Sequence, residues 1–292
     1  MIVIPAVLGG IVACVLIMLF GKWTAAPTTL VISKKVVLGG IMSAVAAVLT
    51  LLVYGAISSN TVLMIISGVL SLAIITGLSN DIQMPKAVYY ILHLLVPLPL
   101  LALSVPIWQA YLLLPIMLLM SRWKDTDCMD CSSMILTLIP VLLIVLDKSD
   151  KIIVDGPIIG SVVLACLLAL WWFCKPTSRF AGGNTIESMT GAVIGILIIM
   201  TQAWYALVVF IPHLIDFFFQ MRKIGVNRMP FLEHNKTIST RNQTWYSLTD
   251  FFIVLIKKFK GNVYPFDVLS VYIFVQALVG AVLLAVYYKV LF

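Results

Sequence analysis

Four polar stretches interrupt an otherwise apolar chain, and their residue types suit phosphate chemistry. "LSNDIQMPK" (78–86) carries Asn80, Asp81 and Lys86, and "SRWKDTDCMDCSS" (121–133) carries Lys124, Asp125, Asp127 and Asp130. "SRFAGGNTIES" (178–188) carries Phe180, Gly182, Gly183, Asn184, Thr185 and Glu187, and "VNRMPFLEHNKT" (226–237) carries Arg228 and Glu233. Carboxylate and carbonyl-type oxygens hold Mg²⁺. Lys and Arg meet phosphate oxygens. In the third stretch a Gly pair leaves room for backbone to approach a ligand, because no Cβ intervenes. A helix starting there adds partial positive charge toward a phosphate. Each stretch taken alone is equally well explained as a solvated loop or a Gly-rich turn between apolar segments. All four on one side of a membrane, with no outer loop so rich, favour a shared site.

The elements that must position these residues are membrane helices. The chain of 292 residues is 62% hydrophobic and 11% charged, and its mean hydropathy is +1.12. These values exclude a soluble globular domain and imply a polytopic all-α membrane protein forming one integral membrane domain. Apolar runs near 2–20, 36–54, 61–78, 88–104, 106–121, 132–147, 157–174, 186–200, 202–219 and 266–288 predict ten spans. The first has no basic segment before it and reads as a retained span, not a cleaved signal. Of the 19 Lys and Arg, all but Lys148, Lys151 and Lys289 fall in the odd-numbered loops. That bias makes the odd loops cytoplasmic and puts both termini on the outer or lumenal side. It also accounts for the net charge of +7 without nucleic acid. All four polar stretches then lie at the cytoplasmic surface. The long ninth loop, 220–265, contains "YSLTDFFIVLIKKFKG" (246–261), which reads as an interfacial or re-entrant helix.

In that setting the stretches resemble the motifs of the polyprenyl-phosphate N-acetylhexosamine-1-phosphate transferases. These include the bacterial phospho-MurNAc-pentapeptide translocase and the enzyme that starts dolichol-linked glycan assembly. The family has ten spans, cytoplasmic active-site loops and a long ninth loop, a layout this chain matches end to end. An Asp–Asp pair followed by Lys closes the family's third span; Asn80–Asp81 and Lys86 stand there. In the family's Asn-Ala-x-Asn-x-x-Asp-Gly motif, Asp130 matches the late Asp, Asp127 the second Asn, Lys124 the first Asn and Cys131 the Gly. Gly183–Asn184–Thr185, with Gly191 beyond, matches Gly-Asp-Thr and its later Gly. Arg228–Met229–Pro230 matches the Arg-x-Pro of the dolichol branch.

The resemblance implies transfer of a sugar-1-phosphate, GlcNAc-1-phosphate foremost, from a UDP-sugar to a polyprenyl or dolichyl phosphate, with release of UMP. It implies Mg²⁺, or Mn²⁺ in its place, held by Asp127 and Asn184. The family has Asn and Asp at those positions, so the two ligands stand exchanged here and the charge at the ion is preserved. Asp81, beside Asn80 and Asp130, would orient or deprotonate the lipid phosphate. Lys86 would hold that phosphate or structure the carboxylates. Arg228 would reach the diphosphate or the sugar, and Gly183, Thr185, Lys124 and Glu187 would line the substrate site. Phe180 would stack on uracil or simply end a span. The implied partners are the UDP-sugar, the lipid phosphate and the bilayer, with room for a homodimer. The membrane would be the plasma membrane in a prokaryote or the endoplasmic reticulum in a eukaryote.

Other readings compete. The altered motif positions also fit a catalytically silent relative that binds lipid or nucleotide. An intramembrane aspartic peptidase needs a second Asp near Gly182–Gly183, where Asn184 stands, and an amide does not share a proton in a dyad. A carrier is disfavoured by the absence of a clear repeat and by charges gathered at one surface. Cys128 and Cys131 have a zinc-like spacing without a second pair. His213 and Asp216, at i and i+3 in the ninth span, read as either a functional or a structural pair, and His93 as an interior histidine.

Overall fold

A computed structural model of the protein describes residues 2–21, 31–32, 35–36, 38–121, 130–148, 155–174, 182–221, 231–232, 238–239 and 247–290. The chain folds as an all-α membrane protein. Among the described residues, eight helical segments are long and apolar enough to cross a bilayer, and two shorter apolar helical stretches, Ile107–Ser121 and Trp204–Phe219, bring the apolar segments to the ten expected. Two-residue antiparallel ladders pair Val31–Ile32 with Lys35–Val36 and Phe231–Leu232 with Ile238–Ser239.

The first three helices are α1 (Val3–Gly21), α2 (Leu38–Ile57) and α3 (Thr61–Asp81). The fourth apolar run is broken. It is α4 (Lys86–Leu95) followed by a 3₁₀ stretch, Leu98–Leu103, because Pro97 and Pro99 remove amide donors. The fifth divides into α5 (Ile107–Tyr111) and α6 (Leu113–Ser121). Next come α7 (Asp130–Lys148), α8 (Asp155–Phe173) and α9 (Gly183–Thr201). A 3₁₀ stretch, Trp204–Phe210, leads into α10 (Ile211–Met221). The chain ends in α11 (Leu248–Lys260) and α12 (Pro265–Val290).

The helix α9 is the centre of the bundle. Every residue from Gly183 to Ile199 is buried, among α2, α3, α6, α7 and α8. A helix apolar all round has no face for solvent or lipid, and it is buried on all sides. Within lipid the hydrophobic effect does not drive helices together, so small residues and interhelical hydrogen bonds decide the contacts. Gly77 of α3 shows this: a Cβ there would stand 2.5 Å from the Asn184 carbonyl oxygen and from the Thr185 Cα. Ser43 Oγ of α2 donates to the Cys166 carbonyl of α8 at 2.8 Å. Gln276 of α12 donates to Thr137 Oγ1 of α7 at 3.0 Å and to the Val209 carbonyl at 3.1 Å.

Two ends of the bundle follow from these contacts. At one end the last turn of α3 meets the first turn of α9. The start of α2 arrives there too, since a Cβ on Gly40 would overlap the Gly182 carbonyl. The start of α7 joins them, with Trp171 Nε1 of α8 donating to Ser132 Oγ at 2.9 Å. At the opposite end Asn60 caps α3 and donates to Asp155 Oδ1 at 2.6 Å, and Tyr287 donates to Asp147.

The helix expected in the ninth loop is α11. Its N-cap Ser247 accepts from the Asp250 amide at 3.1 Å, and Asp216 Oδ1 accepts from the Leu248 amide at 2.6 Å. Its first half is buried with α12 through Phe252, Ile253 and Tyr272, while Lys257, Lys258 and Lys260 at its end are exposed. Asp216 of the His213–Asp216 pair thus serves as a helix-end acceptor for α11.

The packing at Gly77 is testable by comparison with Gly68 of the same helix, which has open space where a Cβ would stand. Gly77→Ala should cost about 1–3 kcal/mol, because backbone must move to admit the methyl. Gly68→Ala should be neutral or slightly stabilising. Thermal unfolding of both variants in one detergent compares them directly.

Candidate functional site

The polar residues gather where α3 ends and α9 begins. The segment 78–86 turns sharply after Asp81. The Gln83 amide donates to the Asn80 carbonyl at 3.1 Å and the Met84 amide to the Ser79 carbonyl at 2.8 Å. Gln83 takes φ +57 in this turn. That pair of bonds around a left-handed residue satisfies the last carbonyls of α3 and reverses the chain into Pro85 and α4. Asn80 is half-buried, and Lys86 is exposed as the first residue of α4.

The Asp81 side chain points into the bundle and is 5% exposed. Its Oδ1 accepts from the Asn184 amide N–H at 2.9 Å and from Asn184 Nδ2 at 2.6 Å. Oδ2 accepts from the Thr185 amide N–H at 3.0 Å and from Thr185 Oγ1 at 2.6 Å. Two donors on each oxygen is the full complement of a carboxylate. The amides are ones that the first turn of any helix leaves without an intrahelical partner, and a negative charge there also complements the helix dipole. Asp81 therefore caps α9 from another helix. Gly183 makes this approach geometrically feasible: at φ +74 it turns the chain so that two successive N–H groups face one carboxylate.

This geometry gives several of the expected site residues definite neighbours. The Thr185 hydroxyl is engaged by Asp81, and the Gly182 backbone packs on α2 at Gly40. The Cys131 sulfur lies 3.5 Å from where a Cβ on Gly182 would stand, which brings the start of α7 to the same place. Glu187 is buried one turn into α9, at 4% exposure. Asp130 opens α7. Lys124, Asp127, Phe180 and Arg228 lie outside the described residues, as does the side chain of Asp130.

A buried amide oxygen at this junction lacks a partner. Asn184 is 8% exposed, and its Oδ1 makes no hydrogen bond. Because Asp81 only accepts, the amide must turn its NH₂ end toward it, and the oxygen faces away. A buried, unpaired amide oxygen is costly unless something binds it. It is also the kind of hard oxygen donor that Mg²⁺ takes. Among the described residues no three His, Cys, Asp or Glu side chains are grouped for a metal.

Sequence reasoning missed Gly77 and the mutual engagement of Asp81 with Thr185. The available signal was the i, i+4 spacing of Gly77 and Asp81, which places a small residue and an acid on one helix face. No protein-family model matches the chain, and no curated protein matches it.

The cap makes a stability prediction. Asp81→Ala leaves the buried donors of Asn184 and Thr185 without their acceptor and should cost about 2–4 kcal/mol. Thr185→Val removes one donor and should cost about 1 kcal/mol. Unfolding midpoints of the two variants against wild type check the order; equal costs would contradict the capping role.

Proposed function

We propose that the protein transfers a sugar-1-phosphate from a UDP-sugar to a polyprenyl phosphate, with UMP as the leaving product and a divalent cation at the site. What supports this is the meeting of the end of α3 (78–86), the start of α7 (from Cys131) and the start of α9 (182–188) at one end of the bundle around an unpartnered Asn184 oxygen. The residues there match the motifs of the polyprenyl-phosphate sugar-phosphate transferases in part, with Asn80, Lys124, Asp127, Cys131 and Asn184 departing from them, and the basic bias of the odd loops favours a cytoplasmic position for that end.

The chemistry joins two anions. An oxygen of the lipid phosphate bonds to the sugar-bearing phosphorus as the bridging P–O bond to the uridylyl phosphorus breaks, and UMP departs with that oxygen. Repulsion between the phosphates is the main obstacle. A bound Mg²⁺ supplies charge neutralisation at the diphosphate. Asn184 Oδ1 would be one ligand, and Asp127 would be the other. Asp127 stands three positions before the first residue of α7, a chain reach of about 10 Å at most. Lys86, exposed five positions beyond Asp81, meets the lipid phosphate, and Arg228 neutralises the diphosphate. Glu187 and Lys124 would line the substrate site. The lipid phosphate carries most of its charge already at neutral pH, so no side chain has to remove a proton. This agrees with an Asp81 whose oxygens are all engaged.

A catalytically silent relative that binds the same ligands is the second reading, favoured by those engaged oxygens and by Asn80 in place of an acid. A peptidase dyad is not favoured, because the group facing Asp81 is an amide.

The separating experiment supplies purified protein in nanodiscs with UDP-GlcNAc, polyprenyl phosphate and Mg²⁺, and measures UMP. The expected result is UMP release that stops on chelation. Asn184→Ala and Arg228→Ala should each lower it by about 100-fold or more. Ligand binding without UMP from any UDP-sugar would select the silent relative.

A further inference from the structure

We infer that Asp81 is a positioning residue that decides which end of the Asn184 amide faces the site, so that positions 81 and 184 act as a matched carboxylate–amide pair. The functional half of this inference rests on the metal reading above. The structural half rests on the hydrogen bonds alone.

An amide has a donor end and an acceptor end of nearly the same shape. Which end points where is set by what it meets. Asn184 meets a carboxylate at 2.6 Å, in a junction closed by Gly77 against the Asn184 and Thr185 backbone. A carboxylate accepts and never donates, so only Nδ2 fits there. The oxygen is forced into the opposite direction, where it stands buried and unpartnered. Asp81 thereby presents an oxygen ligand it does not itself provide. The backbone bonds from Asn184 and Thr185 to the same carboxylate fix the residue against rotation of the whole turn.

The pairing also explains why position 184 holds an amide here. A carboxylate at 184 would bring two anionic oxygens to hydrogen-bond distance in a buried junction, which disfavours the charge on one of them. With an acceptor at 81, any negative ligand of the ion has to come from a position other than 184. Exchanging Asp127 and Asn184 alone therefore creates a new clash with Asp81, and that exchange requires an amide at 81 as well.

Three variants separate positioning from plain structural support. In Asp81→Asn the new amide keeps its oxygen for the Thr185 N–H and hydroxyl and presents NH₂ to Asn184, whose backbone N–H loses its acceptor. The Asn184 side chain answers by turning over, so its oxygen is now engaged by residue 81 and lost to the site. One backbone bond is lost and the ligand is withdrawn. In Asn184→Asp the two carboxylates repel. In the double exchange Asp81→Asn with Asn184→Asp, the amide donates to one carboxylate oxygen and the other takes the place of the original ligand.

The test uses the full chain in nanodiscs, Mn²⁺ as the probe read by electron paramagnetic resonance, and thermal unfolding of the same samples. Wild type should bind Mn²⁺. Asp81→Asn should unfold between Asp81→Ala and wild type, and bind Mn²⁺ about 10–100-fold more weakly than wild type. Asn184→Asp should unfold at lower temperature, and the double exchange should unfold above Asn184→Asp and regain Mn²⁺ binding to within about threefold of wild type. Asp81→Asn binding Mn²⁺ as wild type does, or a double exchange no tighter than Asp81→Asn, overturns the positioning role. A wild-type protein with no Mn²⁺ affinity overturns the metal reading and the functional half with it. The pairing then stands or falls on unfolding: a double exchange no more stable than Asn184→Asp overturns it. If Asp81→Asn fails to fold, that same comparison decides.

Discussion

A single carboxylate joins the last residue of one membrane helix to the first turn of another. Asp81 takes four hydrogen bonds from Asn184 and Thr185 while buried between α3 and α9. A buried carboxylate is tolerable only when its lone pairs are satisfied, and α9 can satisfy them because the start of a helix has amides to offer. Each group thus removes the other's cost. The contact requires α3 and α9 to approach backbone to backbone, which Gly77 permits, and it requires the turn at Gly183. Since α9 touches most of the bundle's long helices, fixing its start also fixes where α2 and α7 arrive.

The proposed function builds on that junction. The acceptor at 81 commits the Asn184 NH₂ and leaves the Asn184 oxygen unpartnered. In the proposed reading, an Asn and an Asp exchanged between positions 127 and 184 become one arrangement once Asp81 is included. The opposite end of the bundle has a different character. There Asn60 with Asp155 and Tyr287 with Asp147 tie helices together, and no unpartnered oxygen comparable to Asn184 Oδ1 occurs in those pairs.

Much of the architecture was legible in the sequence. The ten apolar runs correspond to eight full-length helices and two shorter stretches, and the breaks fall where proline interrupts the fourth run and where Gln202 closes α9 in a left-handed conformation. That the 78–86 and 178–188 stretches belong together was also legible from their residue types. Their relation to each other was not. Sequence patterns show which residues are polar but not which polar group answers which, and Asp81 and Thr185 both read as ligand-facing groups. Their mutual bond depends on a close helix approach between residues about a hundred positions apart, announced only by a glycine inside an apolar run. Gly182 likewise read as room for a ligand, whereas its backbone packs on Gly40.

The most direct measurement is an experimental density map of the protein in a nanodisc with a UDP-sugar and Mn²⁺, the metal located by its anomalous signal or by difference against a chelated sample. The account predicts metal density at a coordination distance of about 2.0–2.3 Å from Asn184 Oδ1, with Asp127 on the same ion and the Asp81 carboxylate still bound to the start of α9. Metal held directly by Asp81, or nucleotide bound away from the α3–α9 junction, would contradict it.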